Sequence, residues 1–215
     1  MGIPRPHKCK SRGHHKKFPL RTNYYKNANF DDKFNSEWKL DREAGIGMLA
    51  KPTDRLKNFR IKLDPVLGCV AVAPFGNESL RTGWPGAFGG NMDYSGLREG
   101  ITVYLPVNVA GAMLFIGDGY AAEGDVELNG DALETSMDVE FTVNLIRGKA
   151  TNGPPMENDE WIMASGIANS LPEALQQATT ELVRWLELDY KLNANEAAIV
   201  AVSSIKYDIA EVVDP

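Results

Sequence analysis

The sequence predicts an α+β protein that is predominantly β, with a sandwich-like antiparallel β core and a smaller C-terminal α/β part. Three observations carry this expectation. Short runs alternating in apolar and polar residues fill the middle of the chain. Eleven of the 20 glycines fall between Gly83 and Gly130, among those runs. Helical periodicity appears only near the C-terminus, so strands precede helices and do not alternate with them.

Taken in order, residues 1–30 hold eight Lys or Arg and no acid. They read as a basic leader too poor in apolar side chains to pack. A nucleic-acid or partner arm is the competing reading of that charge. The cluster His7, Cys9, His14 and His15 has no usual zinc-finger spacing. The segment "EWKLDREAGIGMLA" holds one short helix or strand. In "NFRIKL", Phe59, Ile61 and Leu63 share one face of a strand. "LGCVAVAP" suits a buried strand, with Cys69 as a small core residue. Residues 76–100 read as a long glycine-rich loop, which inside a compact domain is usually functional.

"ITVYLPV" and "AGAMLFIGD" read as two strands joined by a short turn. "SMDVEFTVNLI" gives the clearest alternation, with Met137, Val139, Phe141, Val143 and Leu145 on one face. "WIMASGIA" is a further strand. Ser170-Leu-Pro-Glu173 is a capping box that opens a helix. Ala174, Leu175, Ala178, Leu182, Trp185 and Leu186 mark its inner face. Asn193 with Glu196 caps a second, shorter helix.

The chain has 215 residues, 43% of them hydrophobic and 24% charged, enough to bury a core without staples. No apolar run approaches a membrane span. Two cysteines, Cys9 and Cys69, make no disulfide framework, and a cytoplasmic, reducing location is expected. No His lies beyond His15, so a Ser-His-Asp or Cys-His engine in the body is excluded unless another chain supplies the His. No phosphate-binding glycine loop is present.

The chemistry points instead to "GDGYAAEGDVE", Gly117 to Glu127. On a strand, Glu123, Asp125 and Glu127 would share a face about 7 Å apart and repel one another. Such a cluster needs a cation, a shared proton or full solvation. Asn91 and Asp93, in "GGNMD", sit on a second glycine-rich loop. The two loops form one polar pocket, or each is an independent acidic turn.

"LGCVAVAP", "GGNMD", "GITVYLPVNVAGAMLFIGDG", "EGDVELNGDALETSMDVEFTV" and "YDIAEVVDP", in this order, resemble the acetamidase/formamidase family from Trp38 to Pro215. The resemblance implies hydrolysis of short linear amides to a carboxylate and ammonia. It also implies a divalent metal, zinc first and calcium second. The family signature G-D-x-H-A-x-x-G-D-G-E is matched at Asp118, Asp125 and Glu127. Tyr120 stands in the place of His and Val126 in the place of Gly.

By that resemblance Asp118, Tyr120 and Asp125 hold the metal. Glu127 is the general base, assisted by Asp125, and Asn91 and Asp93 orient the amide. Family members carry a longer N-terminal portion, so an incomplete domain over 31–215 and a homo-oligomer are expected. A small amide is the expected partner; nucleic acid and membrane are not. A non-catalytic module that keeps the acidic pocket as a cation or ligand site is the rival expectation.

Overall fold

The computed structural model describes residues 9–11 (backbone only), 36–76, 78–128, 130–149 and 151–213. The strands are β1 (Cys9–Ser11), β2 (Ser36–Asp41), β3 (Ile46–Leu49), β4 (Arg60–Lys62), β5 (Val66–Ala71), β6 (Gly89–Asn91), β7 (Thr102–Val103), β8 (Phe115–Tyr120), β9 (Met156–Glu157) and β10 (Ile162–Met163). Two helices close the chain, α1 (Leu171–Asp189) and α2 (Ala194–Ser204). The architecture is α+β and predominantly β, with antiparallel sheets ordered β1-β2-β3-β4, β10-β9-β7 and β6-β5-β8.

"EWKLDREAGIGMLA" is a hairpin, β2–β3, in which Trp38 faces Leu49. Its turn is held by Ala44 N–H donating to Asp41 Oδ1 at 3.0 Å. Part of the expected leader joins this sheet, because β1 pairs with β2. The rest of the leader, including His7, His14 and His15, lies outside the described residues.

Strand β5 is the centre of the body. Val66, Leu67, Cys69 and Ala71 are all buried, because sheet neighbours flank the strand on both edges. Opposite Val66 stands Tyr120, and opposite Cys69 stand Asn91 and Gly117. One central strand thus brings both glycine-rich segments together.

Several expectations are corrected. The loop 76–100 contains a short strand, β6, paired with β5. "ITVYLPV" and "AGAMLFIGD" do contribute strands, but to different sheets: β7 pairs with β9 and β8 with β5. Residues 123–128 are loop, not strand. Met137–Leu145 joins no named strand, and Phe141, Val143 and Leu145 are 58, 66 and 62% exposed. The alternation is real in sequence, but no strand among the described residues covers that face. "WIMASGIA" supplies only the short β10.

Both helices begin as the caps dictate. The Ser170 side chain accepts from Glu173 N–H at 3.4 Å, with Pro172 in the first turn. The capping box of α2 is complete: Asn193 Oδ1 accepts from Asn195 and Glu196 N–H, and Glu196 Oε2 accepts from Asn193 N–H. Helix α1 buries Leu186 but leaves Leu175 47% exposed. It seats on Gly166, where a Cβ would lie 1.8 Å from Ala174 O. Asn193→Ala should cost about 1 kcal/mol in a urea titration, through the two orphaned N–H groups of α2.

Candidate active site

The site forms where β5, β6, β8 and the C-terminal segment meet. Asp93 follows β6 and is fully buried. Its N–H and that of Met92 both donate to Gly68 O, at 3.2 and 2.8 Å. That arrangement turns the chain inward at Asp93, with φ of 36°. Both carboxylate oxygens of Asp93 are held. Oδ1 accepts from the Tyr120 hydroxyl at 2.8 Å, and Oδ2 accepts from the Asn91 side-chain amide.

Tyr120 closes β8 and is 2% exposed. Its hydroxyl also contacts Asp118 Oδ2 at 2.9 Å. Burial, then Asp93, then Asp118 push the phenol far above its usual range, so it keeps its proton. The space for this contact exists because residue 68 is glycine. A Cβ there would lie 2.4 Å from Asp93 Oδ1 and 2.8 Å from the Tyr120 hydroxyl.

Glu127 arrives on the loop after β8, and Glu211 on the C-terminal segment. Val126 N–H donates to Ile209 O at 3.2 Å, and Val126 and Glu211 form a parallel bridge. This pairing sets Glu127 beside Glu211. Carboxylate oxygens of Asp93, Glu127 and Glu211 all lie within 4.8 Å of one another. Glu127 is 6% exposed. Three buried carboxylates this close match the demand of a divalent cation for oxygen ligands.

Around the three, two further acids are perturbed. Burial, then Asp93 and Asp118, push Glu123 up to about 8. Both of its carboxylate oxygens are buried, and no hydrogen-bond partner among the described residues meets them. Burial, then Asp118 and Asp131, push Glu134 up to about 8, and Glu134 also hydrogen-bonds Asp118.

The two acidic loops therefore do converge, as one of the two sequence readings had it. Asp125 sits at the edge, exposed, with Ser95 Oγ donating to it at 3.2 Å. Of the residues expected to hold metal, Asp118, Tyr120 and Asp125 stand around the three-carboxylate group and not within it. Asp93 and Glu127, expected in other roles, belong to it. Asn91 is turned toward Asp93 and holds that carboxylate. Glu211 was not anticipated. Its only sequence signal is its place in "YDIAEVVDP", some eighty residues beyond the acidic stretch.

The backbone is strained here. Asp118, Val126 and Glu127 have φ of 60, 69 and 41°, and Asp93 shares the sign. Positive φ is especially costly for a β-branched residue such as Val126.

Comparison with known proteins places the chain in a family. The model of the Acetamidase/Formamidase family matches residues 35–215. An acetamidase of Mycolicibacterium smegmatis is 32% identical over 120 residues, covering 53% of this chain and 29% of that protein. The crystal structure of an acetamidase from Bacillus halodurans superposes with a TM-score of 0.81 at 26% identity, covering 99% of this chain and 66% of that one. An acetamidase from Yersinia enterocolitica gives 0.81 at 29% identity, covering 98% and 61%. A third structure, of a predicted acetamidase/formamidase from Thermoanaerobacter tengcongensis, gives 0.80 at 25% identity, covering 100% and 67%.

Two strands of observation meet here: a mostly antiparallel β fold and a buried carboxylate pocket between its loops. The chain belongs to the acetamidase/formamidase family. It spans 61 to 67% of the length of these solved relatives.

Two outcomes are expected at this site. Val126→Gly should raise stability by up to about 1 kcal/mol in chemical denaturation, because relief of the positive φ outweighs the added chain entropy of glycine. Glu123 titrates at about 8 in the folded chain against an ordinary 4.5. The folded state thus holds this proton more tightly than the unfolded state. Its stabilisation is full below the unfolded pKa and is lost as pH rises through the folded one. The melting temperature, measured in chelator, should fall between those values, and Glu123→Gln should flatten the fall.

Proposed function

We propose that this chain hydrolyses linear amides, including those of formamide and acetamide type, to a carboxylate and ammonia. The observation that carries the proposal is the convergence of buried Asp93, Glu127 and Glu211, in a chain that belongs to a family named for that activity.

In this reading Asp93, Glu127 and Glu211 hold a divalent cation. When bound, the cation polarises the amide carbonyl as a Lewis acid. The donor set is all carboxylate, and the chain's three histidines lie outside the described residues. It suits a hard, oxygen-seeking ion such as calcium or magnesium better than zinc, whose sites favour His and Cys. Asn91 and Tyr120 fix the two oxygens of Asp93.

Glu123 is the acid–base group. A carboxyl that titrates near neutrality exchanges protons efficiently in both directions. In its ionised form it takes a proton from the attacking water and delivers it to the departing nitrogen. The new C–O bond replaces the C–N bond, and ammonia leaves with the transferred proton. Glu127, first expected as base, serves the cation in this scheme, and Asp125 lies on the exposed rim.

The rival reading is a non-catalytic carboxylate pocket. The phenol of Tyr120, where the family signature has an imidazole, favours it. A cytoplasmic setting and self-association also belong to the proposal. The free, buried thiol of Cys69 supports the first, and the exposed Phe141, Val143 and Leu145 support the second. Among the described residues no helix is long and apolar enough to cross a membrane.

The test is ammonia release from acetamide with calcium, magnesium or zinc supplied in turn. Glu123→Gln should lower turnover by about 10²-fold or more while cation binding by calorimetry persists. Glu127→Gln should weaken cation binding itself. Folded protein that binds the cation yet releases no ammonia in any arm would hand the site to the rival reading.

A further inference from the structure

The carboxylate group does not face open solvent on every side. Glu211 also lines a cleft of about 1470 Å³. Met92 and Tyr94, the neighbours of Asp93, line it too. Met163 of β10, Leu182 of α1, Val200 of α2 and Trp161 line it as well. The Tyr94 hydroxyl stands in this wall, with Asp208 Oδ2 at 3.2 Å and Met163 Sδ at 3.6 Å as alternative acceptors for its one proton. Trp161 is 41% exposed, and Lys206 Nζ lies 4.4 Å from its ring centre.

The size of this cleft is out of scale with acetamide. At about 30 Å³ per water-sized group, acetamide fills roughly a tenth of it or less. The remaining space would be water against methionine, leucine and valine side chains, which is the unfavourable arrangement an apolar tail removes. Both signs of charge line the cleft, Glu160, Glu173, Asp208 and Glu211 with Arg98 and Lys206, so its apolar side chains and not its charge set the choice.

We infer that the cleft selects linear amides with a medium-length apolar acyl chain. The amide sits at Glu211 and the chain lies along Met163, Leu182 and Val200 toward Trp161. This rests on the amidase reading and specifies its substrate.

The experiment is a series from acetamide through butanamide to hexanamide on the full chain with its cation. Two readouts are taken: Trp161 fluorescence, with Trp161→Phe as the subtraction control, and ammonia release. Kd and KM should both fall by about two- to fourfold per methylene, the upper figure corresponding to ~0.8 kcal/mol for a fully buried group. Val200→Gln, at a partly exposed helix position, should reduce the preference for hexanamide over acetamide. A flat series in the fluorescence titration overturns the inference, even if acetamide is turned over. Chain-length-dependent binding without ammonia from any amide supports the cleft while sinking the amidase reading.

Discussion

Mutual repulsion among buried carboxylates is the constraint on which the site depends. Asp93, Glu127 and Glu211 come from three separate segments, and nothing in their own chemistry favours their meeting. They are held by neutral donors and by backbone. Tyr120 and Asn91 each donate to one oxygen of Asp93. The bridge between Val126 and Glu211 carries the other two carboxylates into place. Those hydrogen bonds and the packing beneath them outweigh the charge cost of the apo site. Any bound cation then gains from a cage already assembled.

Strand β5 makes that assembly affordable. Its two edges carry β6 and β8, so the segments that end in Asp93 and Tyr120 are fixed by ladder hydrogen bonds to one strand. Gly68 lies in the middle of this strand, where the aromatic ring and the carboxylate approach the backbone closely. The positive φ values at Asp93, Asp118, Val126 and Glu127 sit at the loop side of the same framework. A rigid sheet absorbs strain that a free loop would relax, which is the usual setting for strained functional positions.

This division explains what could be read from the sequence. β5, the two capped helices and the glycine-rich character of the site loops follow from local pattern, because burial on both faces, capping chemistry and turn chemistry are written in neighbouring residues. The pocket at Asp93 and Glu127 was legible as an excess of acids in need of neutralisation. Glu211 was not, because its place depends on a bridge to Val126 from far along the chain. The strand expected over Met137–Leu145 failed for the same reason in reverse. Period-two alternation specifies an extended chain with one apolar face, but only a neighbouring strand makes it part of a ladder. Asp125 followed the motif rather than the geometry: positive φ at Val126 and Glu127 replaces the period of two that would have put the acids on one face.

The exchange of an imidazole for a phenol at Tyr120 changes the proton count of the site. A neutral imidazole is a good ligand for a cation, whereas this phenol, pushed far above its normal range, keeps its proton and gives it to a carboxylate. It has one proton and two carboxylates within 2.9 Å. If the proton goes to Asp93, the contact with Asp118 needs a proton from elsewhere. Glu134 is protonated at neutral pH and hydrogen-bonds Asp118, so it reduces the charge on that side without adding a cation. The chain Glu134–Asp118–Tyr120–Asp93 therefore replaces positive charge with shared protons. It leaves Asp93 turned toward Glu127 and Glu211, where a divalent ion gains most.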